Sequence, residues 1–156
     1  MMARKPILVV GVGNTLLKDE GVGMYVIDRL KALDLPEEIE LIEGGVLGLD
    51  LLEYMEDRKK VIIIDAVKGN KAPGTIYRLT RKDIEDGQNL CLSLHDMDLP
   101  YVFNLADLLG QKINPIIIGI EPKDMSIGLE LTTEIEAQIP KVIDMVLKES
   151  IIKMVL

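Results

Sequence analysis

The sequence has 156 residues, of which 48% are hydrophobic, and this predicts one domain over residues 1–156 with a single substantial core. A net charge of −8 argues against nucleic acid and acidic membrane surfaces as partners, because both require a basic surface. Since Cys91 is the one cysteine, no internal disulfide can form, which fits a reducing cytoplasm. No run approaches the ~20 apolar residues of a membrane helix, so we expect a soluble cytoplasmic protein without membrane insertion.

Short apolar runs bounded by charge, glycine or proline predict strands that are buried on both faces of a parallel sheet. These runs are residues 7–10, 61–64 and 115–120. Residues 40–45 predict a further short strand that ends in a turn. Residues 74–80 predict another, which we expect to be antiparallel because too few residues separate it from Asp65 for a helical crossover.

Segments of helical period separate these strands, at residues 23–33, 47–55 and 99–110. This alternation is typical of βαβ units in an open sheet. We therefore predict an α/β fold with a single domain of three α/β/α layers, in which helices cover both faces of a mostly parallel twisted sheet.

The C-terminal residues 132–156 predict a long closing helix. Thr133 and Glu136 have the spacing of a capping box, so the helix is expected to begin there. Pro140 is expected to kink this helix or to lie near its first turns.

The densest local motif is VVGVGNTLLKDEGVG at residues 9–23, where a buried strand meets a glycine turn just before a helix. Gly11 and Gly13 match a dinucleotide-binding fingerprint, but Leu16 stands where the third glycine belongs. Glu43, at the end of the next predicted strand, would then supply the ribose-binding acid. A Rossmann-like nucleotide-binding module is therefore the alternative interpretation.

The acidic pair Asp19–Glu20 argues against that alternative, because two carboxylates at a helix start would repel a pyrophosphate. Helix capping is the simplest explanation of Asp19.

Two further residues are candidates for chemistry. Asp65 directly follows the apolar run 61–64, at the strand edge where open α/β sheets bind ligands, although capping of a turn explains it equally well. His95, the one histidine, lies in a polar insertion just before a helix. Together with Glu20 these side chains offer two oxygen ligands and one imidazole, which suits a divalent metal such as nickel or zinc. The residues are about 45 and 30 positions apart, so the fold must bring them together.

Cys91 precedes His95 by four residues, which allows a thiol–imidazole pair with Asp96 or Asp98 orienting the ring. The segment has no clear helical start before Ser93, however, and a lone cysteine is more often an inert buried group.

Together these motifs resemble the hydrogenase maturation proteases, which process the large subunit of nickel-iron hydrogenases. The resemblance covers nearly the whole chain in order and spacing. It rests on ILVVGVGNTLLKDEGVG, IEGG, IIIDAV, APGTIY, SLHDMDL, IIIGIEP and GLELT. In that family the positions of Glu20, Asp65 and His95 contact the metal, so the resemblance implies that these residues act catalytically through it.

The resemblance further implies a metal-dependent, aspartic-type or metallo endopeptidase whose partner is a hydrogenase large-subunit precursor. Nickel supplied by that precursor would serve as the recognition element, other divalent metals being able to occupy the same site. A C-terminal extension would be removed from the precursor. Family members often carry Asp-Gly-Gly where this chain has Glu43, Gly44 and Gly45, so these three residues are the candidates for substrate binding.

Overall fold

The computed structural model describes residues 4–45, 50–86, 90–92 and 99–155, and these form one sheet flanked by helices. The strands are β1 (Ile7–Val12), β2 (Ile39–Gly45), β3 (Lys60–Lys68), β4 (Ile76–Leu79), β5 (Cys91–Leu92) and β6 (Ile116–Ile120). The helices are α1 (Val22–Lys31), α2 (Leu51–Met55), α3 (Arg81–Glu85), α4 (Leu99–Leu108) and α5 (Thr133–Val155). A 3-10 turn at Lys18–Gly21 precedes α1.

The strand order is β2-β1-β3-β6-β4, and the short β5 pairs with the end of β3. The pairs β1–β2, β1–β3 and β3–β6 are parallel, whereas β4 runs antiparallel to β6. The predicted mostly parallel sheet is confirmed, and so is the antiparallel direction of the strand within residues 74–80.

The sheet separates two apolar cores, because successive side chains of a strand point to opposite faces. On one face Leu8, Val10 and Ile63 pack with residues of α2 and α4. On the other face the alternate strand residues pack with α1 and α5, and Ile27 and Ile139 are fully buried there. Helices therefore cover both faces, which confirms the predicted three-layer architecture.

The start of α5 differs from the prediction. The helix begins at Thr133, so Thr132 occupies the position before it, and the Thr132 hydroxyl donates to Asp19. The capping box predicted from Thr133 and Glu136 is therefore wrong, because Thr133 is already helical. Glu136 instead forms an ion pair with Arg29 of α1. Pro140 lies inside the helix.

Among the described residues, no helix is both long and apolar enough to cross a membrane.

Candidate functional site

The candidate site lies at the carboxyl ends of β1 and β3. The chain leaves β1 through α1 toward β2 on one side, and it leaves β3 toward β6 on the other. Adjacent parallel strands whose connections diverge in this way open a crevice at their carboxyl ends, which is where open α/β sheets bind ligands. The loop after β1 carries Glu20, and β3 carries Asp65.

Close backbone packing fixes the loop with Glu20 against β3. A Cβ atom built on Gly23 would lie 2.2 Å from the carbonyl oxygen of Ile64, the residue before Asp65. A Cβ on Gly13, whose φ is +128°, would lie 2.0 Å from the carbonyl oxygen of Glu20. These contacts leave no room for a side chain at either position, so the glycines of the motif bring the Glu20 turn onto the strand edge.

Asp65 is fully buried, and its Oδ1 accepts the backbone N–H of Ala66 at 2.8 Å. It stands opposite Gly119 of β6, one residue beyond the last β1–β3 pair, Gly11–Ile64. Glu20 is partly exposed in the 3-10 turn, where its N–H donates to the carbonyl of Leu17. One carboxylate is thus rigidly enclosed by the sheet, and the other borders the crevice mouth.

His95 lies outside the described residues, as do Asp96 and Asp98. The structure does describe the strand that leads into that segment. Here β5 pairs Cys91 with Lys68 and Leu92 with Val67, antiparallel to the end of β3. The chain therefore enters the histidine segment from a strand that pairs with the end of β3, the strand that carries Asp65.

Among described residues, no group of three or more His, Cys, Asp or Glu side chains forms a metal-binding cluster. Such a cluster here would need His95. The donor set itself suits the chemistry, since carboxylates with an imidazole ligate nickel and zinc. Asp65 and Glu20 are oxygen donors of the kind such a site needs, and the turn with Glu20 packs on the strand that carries Asp65.

Asp19 has a role that sequence reasoning missed. It is fully buried and accepts four hydrogen bonds from the segment between β6 and α5. Its donors are the N–H groups of Lys123 and Asp124 at 3.0 Å, and the N–H and hydroxyl of Thr132 at 2.8 Å. It does not cap α1, whose N-terminus has no side-chain cap bond. Adjacent acids of one motif thus have different roles, and sequence spacing alone gave no signal of this.

Glu121 is a second buried carboxylate that the sequence motifs did not single out. Its Oε1 accepts the hydroxyl of Tyr77 at 2.5 Å and the N–H groups of Gly69 and Lys71 at 2.8 and 3.2 Å. Burial alone would raise the pKa of Glu121, but these hydrogen bonds outweigh it and place the pKa below its ordinary value. Burial and the bond to Glu121 raise the pKa of Tyr77 to about 12.

The three predicted substrate-binding residues lie at the end of β2. The carboxylate of Glu43 forms an ion pair with Lys31 at 3.1 Å. Gly44 packs against β1, where a Cβ atom would lie 2.9 Å from Cγ2 of Val10. A Cβ on Gly45 would meet nothing within 4 Å, so its backbone borders open space.

The fold and these carboxylates define a class of protein: a three-layer α/β protein with acidic residues in β3 and in the turn that follows β1. The family model for hydrogenase maturation proteases matches residues 24–149. The chain belongs to the hydrogenase maturation protease family, and is therefore a protease.

Individual relatives agree with the family model. A putative hydrogenase maturation protease of Methanocaldococcus jannaschii is 32% identical over 154 residues, covering 95% of this chain and 98% of that protein. Hydrogenase 2 maturation protease of Escherichia coli is 33% identical over 144 residues, covering 90% and 88%. The solved structure of the hydrogenase maturating endopeptidase HybD from E. coli has a TM-score of 0.82 at 31% identity, covering 94% and 91%.

Proposed function

We propose that this protease removes the C-terminal extension from the large-subunit precursor of a nickel-iron hydrogenase, and that it recognises nickel already held by that precursor. The observation that supports the proposal is that the turn with Glu20 packs on β3, the strand that carries Asp65, in a chain of this family. A buried carboxylate and a partly exposed one are oxygen donors suited to a metal that arrives with the substrate.

Each residue has a separate task in this proposal. Asp65, buried in the sheet, provides a fixed oxygen donor. Glu20 provides a second donor from the crevice mouth, and His95 provides an imidazole nitrogen from the segment after β5. The substrate nickel polarises the scissile carbonyl or activates a water molecule. The enzyme is then of the metal-dependent type, and other divalent metals are alternative occupants.

The end of β2 is the proposed place for the substrate tail. The backbone of Gly45 borders open space, so an extended peptide can approach it closely. Gly44 cannot carry a side chain without displacing β1. Glu43 contacts the tail only after its ion pair with Lys31 is broken. This pair is exposed, so breaking it costs little.

We place the reaction in the cytoplasm with the precursor as partner. The acidic composition disfavours nucleic acid, and the single cysteine suits a reducing compartment.

A Rossmann-like nucleotide-binding module is the alternative, and the geometry disfavours it. In a dinucleotide site the glycine turn opens directly onto a helix N-terminus that receives the pyrophosphate. Here a 3-10 turn with Asp19 and Glu20 intervenes between β1 and α1. The glycine turn therefore does not open directly onto the N-terminus of α1.

The test is incubation of the protein with candidate hydrogenase large-subunit precursors, with and without nickel, followed by intact-mass measurement. We expect a mass loss equal to a C-terminal peptide, only with nickel and not with the His95→Ala variant. A precursor that binds but keeps its mass would make the protein a scaffold. Cleavage by His95→Ala, or a thermal shift with a dinucleotide but no cleavage, would overturn the proposal.

A further inference from the structure

Among the described residues, three carboxylates outside the proposed metal triad are buried, and two of them, Asp19 and Glu121, contact the same stretch of chain. This stretch, residues 121–132, connects β6 to α5, and we refer to it as the connecting segment. Glu121 lies at its start, and Asp19 receives hydrogen bonds from its interior and its end. Because burial of a carboxylate is costly unless its oxygens are hydrogen-bonded, each carboxylate holds its donors firmly in place.

At one end the connecting segment fastens the turn with Glu20. Besides the four bonds to the Asp19 carboxylate, the N–H of Asp19 donates to the carbonyl of Asp124 at 3.1 Å. The N–H of Lys18 donates to the carbonyl of Gly128 at 3.0 Å, and the N–H of Gly128 donates to Leu16 at 2.9 Å. Leu16, Lys18 and Asp19 are thus all bonded to the connecting segment, and Glu20 directly follows them.

At its other end the connecting segment fastens the loop after β3. The Glu121 carboxylate binds Gly69 and Lys71, and its backbone exchanges hydrogen bonds of 2.8 Å with Gly74 and Thr75. Gly69 directly follows Lys68, which pairs with Cys91 of β5. The Glu121 contacts therefore hold the strand end that follows Asp65 and supports the entry to the His95 segment.

We infer that Asp19 and Glu121 are positioning residues that fix Glu20 relative to Asp65 through the connecting segment. The inference rests on the proposed function of that site. Neither carboxylate contacts the substrate; each acts through the backbone it holds. A small displacement of a metal-binding group is enough to slow the chemical step while leaving precursor docking intact.

The variant that tests this is Asp19→Asn, which keeps the shape of the side chain. The amide of asparagine has one oxygen and one NH2 group. Its NH2 group would therefore face other hydrogen-bond donors, either those of Thr132 or the N–H groups of Lys123 and Asp124. Asp144→Asn is the matched control. It removes one charge and weakens the exposed pair with Lys148, and it lies in α5, outside the connecting segment.

The experiment measures kcat and KM for nickel-dependent cleavage of the precursor, together with amide hydrogen exchange, at a temperature where every variant is folded. For Asp19→Asn we expect kcat to fall about tenfold or more, with KM changed by less than about threefold and faster exchange at residues 14–21. For Asp144→Asn we expect both constants to stay within about twofold of the wild type.

Glu121 is tested by rescue. Glu121→Gln keeps an accepting oxygen and should retain most of the wild-type kcat. Glu121→Ala should lose most of the wild-type kcat, while its KM stays nearly unchanged. If Asp19→Asn does not fold, Thr132→Val, which removes one of the four donors, takes its place with an expected fall in kcat of about threefold.

A folded Asp19→Asn variant with the wild-type kcat would overturn the inference, and so would an effect confined to KM or an equal loss in Asp144→Asn. If the wild-type protein leaves the precursor intact, the proposed function fails and this inference fails with it. These outcomes are distinguishable because the first three require an active wild type.

Discussion

The carboxylate of Asp19 accepts both the backbone N–H and the hydroxyl of Thr132 at 2.8 Å, although the two residues are 113 positions apart in the sequence. This contact joins the turn after the first strand to the start of the last helix. The contact also explains why the neighbouring acids Asp19 and Glu20 differ in exposure. Asp19 is fully buried and bonded to the fold, while Glu20 remains partly exposed at the crevice.

Gly23 provides the sharpest test of how the site is built. In Gly23→Ala the new Cβ would lie 2.2 Å from the carbonyl oxygen of Ile64 and 2.6 Å from that of Val12. Both atoms belong to backbone, so the clash cannot be relieved by a side-chain rotation. We expect the free energy of unfolding to fall by about 3 kcal/mol, measured by urea denaturation.

Gly110→Ala is the control for that measurement. Gly110 has φ +78° but open space around its Cβ position, so only backbone strain of about 1 kcal/mol is expected. Equal losses in the two variants would contradict the close packing of α1 on β3.

The core between α5 and the sheet should depend strongly on Ile139, which is fully buried. Ile139→Ala removes apolar contacts and leaves a cavity, so we expect a loss of about 2–5 kcal/mol in unfolding free energy. Ile127, which is 88% exposed, is the matched control, and Ile127→Ala should change stability by less than about 0.5 kcal/mol. Thermal unfolding of both variants checks this, and a mild effect at Ile139 would mean that α5 is not packed as described.

The fold was largely predictable because the strands are short apolar runs that need burial on both faces. The runs 7–10 and 61–64 lie within buried strands of the sheet, and the run 115–120 contains the buried strand β6, which begins one residue later at Ile116. The helix α3 and the strand β5 were not predicted. Each is short, at five and two residues, and β5 depends on a partner distant in sequence, so local periodicity gives little signal for either.

The candidate site was predictable only in part. Asp65 and Glu20 follow apolar strands, so their common edge follows from the parallel topology once the strands are recognised. The roles of Asp19 and Glu121 depend on contacts between residues about 50 to 110 positions apart. Such contacts have no sequence period, which is why Asp19 was interpreted as a helix cap. The metal-binding role of His95 stays a prediction.

Tyr77 gives a prediction about alkaline pH. Its pKa is raised from about 10 to about 12 because the neutral hydroxyl is buried and bonded to Glu121. Because the pKa is raised in the folded state, the stabilisation contributed by neutral Tyr77 is fully present below pH 10 and is lost as the pH rises through 12. The difference between the pKa of Tyr77 in the unfolded and folded states corresponds to about 3 kcal/mol of unfolding free energy in total.

Tyr77→Phe removes this contribution along with the hydrogen bond. We expect the variant to be less stable than the wild type at pH 9, and the difference between them to narrow by about 1 kcal/mol at pH 11. Denaturant unfolding at the two pH values measures it. A difference that stays constant would show that Tyr77 is not held neutral by its environment.

The most direct test of the central claim is single-turnover cleavage of a nickel-loaded precursor by Asp65→Asn, followed by intact mass. The substitution keeps the buried side chain's shape but removes the charge that we propose binds the metal. We predict that the cleavage rate falls about 100-fold or more. Asp107→Asn, which breaks the exposed ion pair with Arg81, is the control, and its cleavage rate should stay within about twofold of the wild type. A folded Asp65→Asn protein that cleaves the precursor at the wild-type rate would contradict the account.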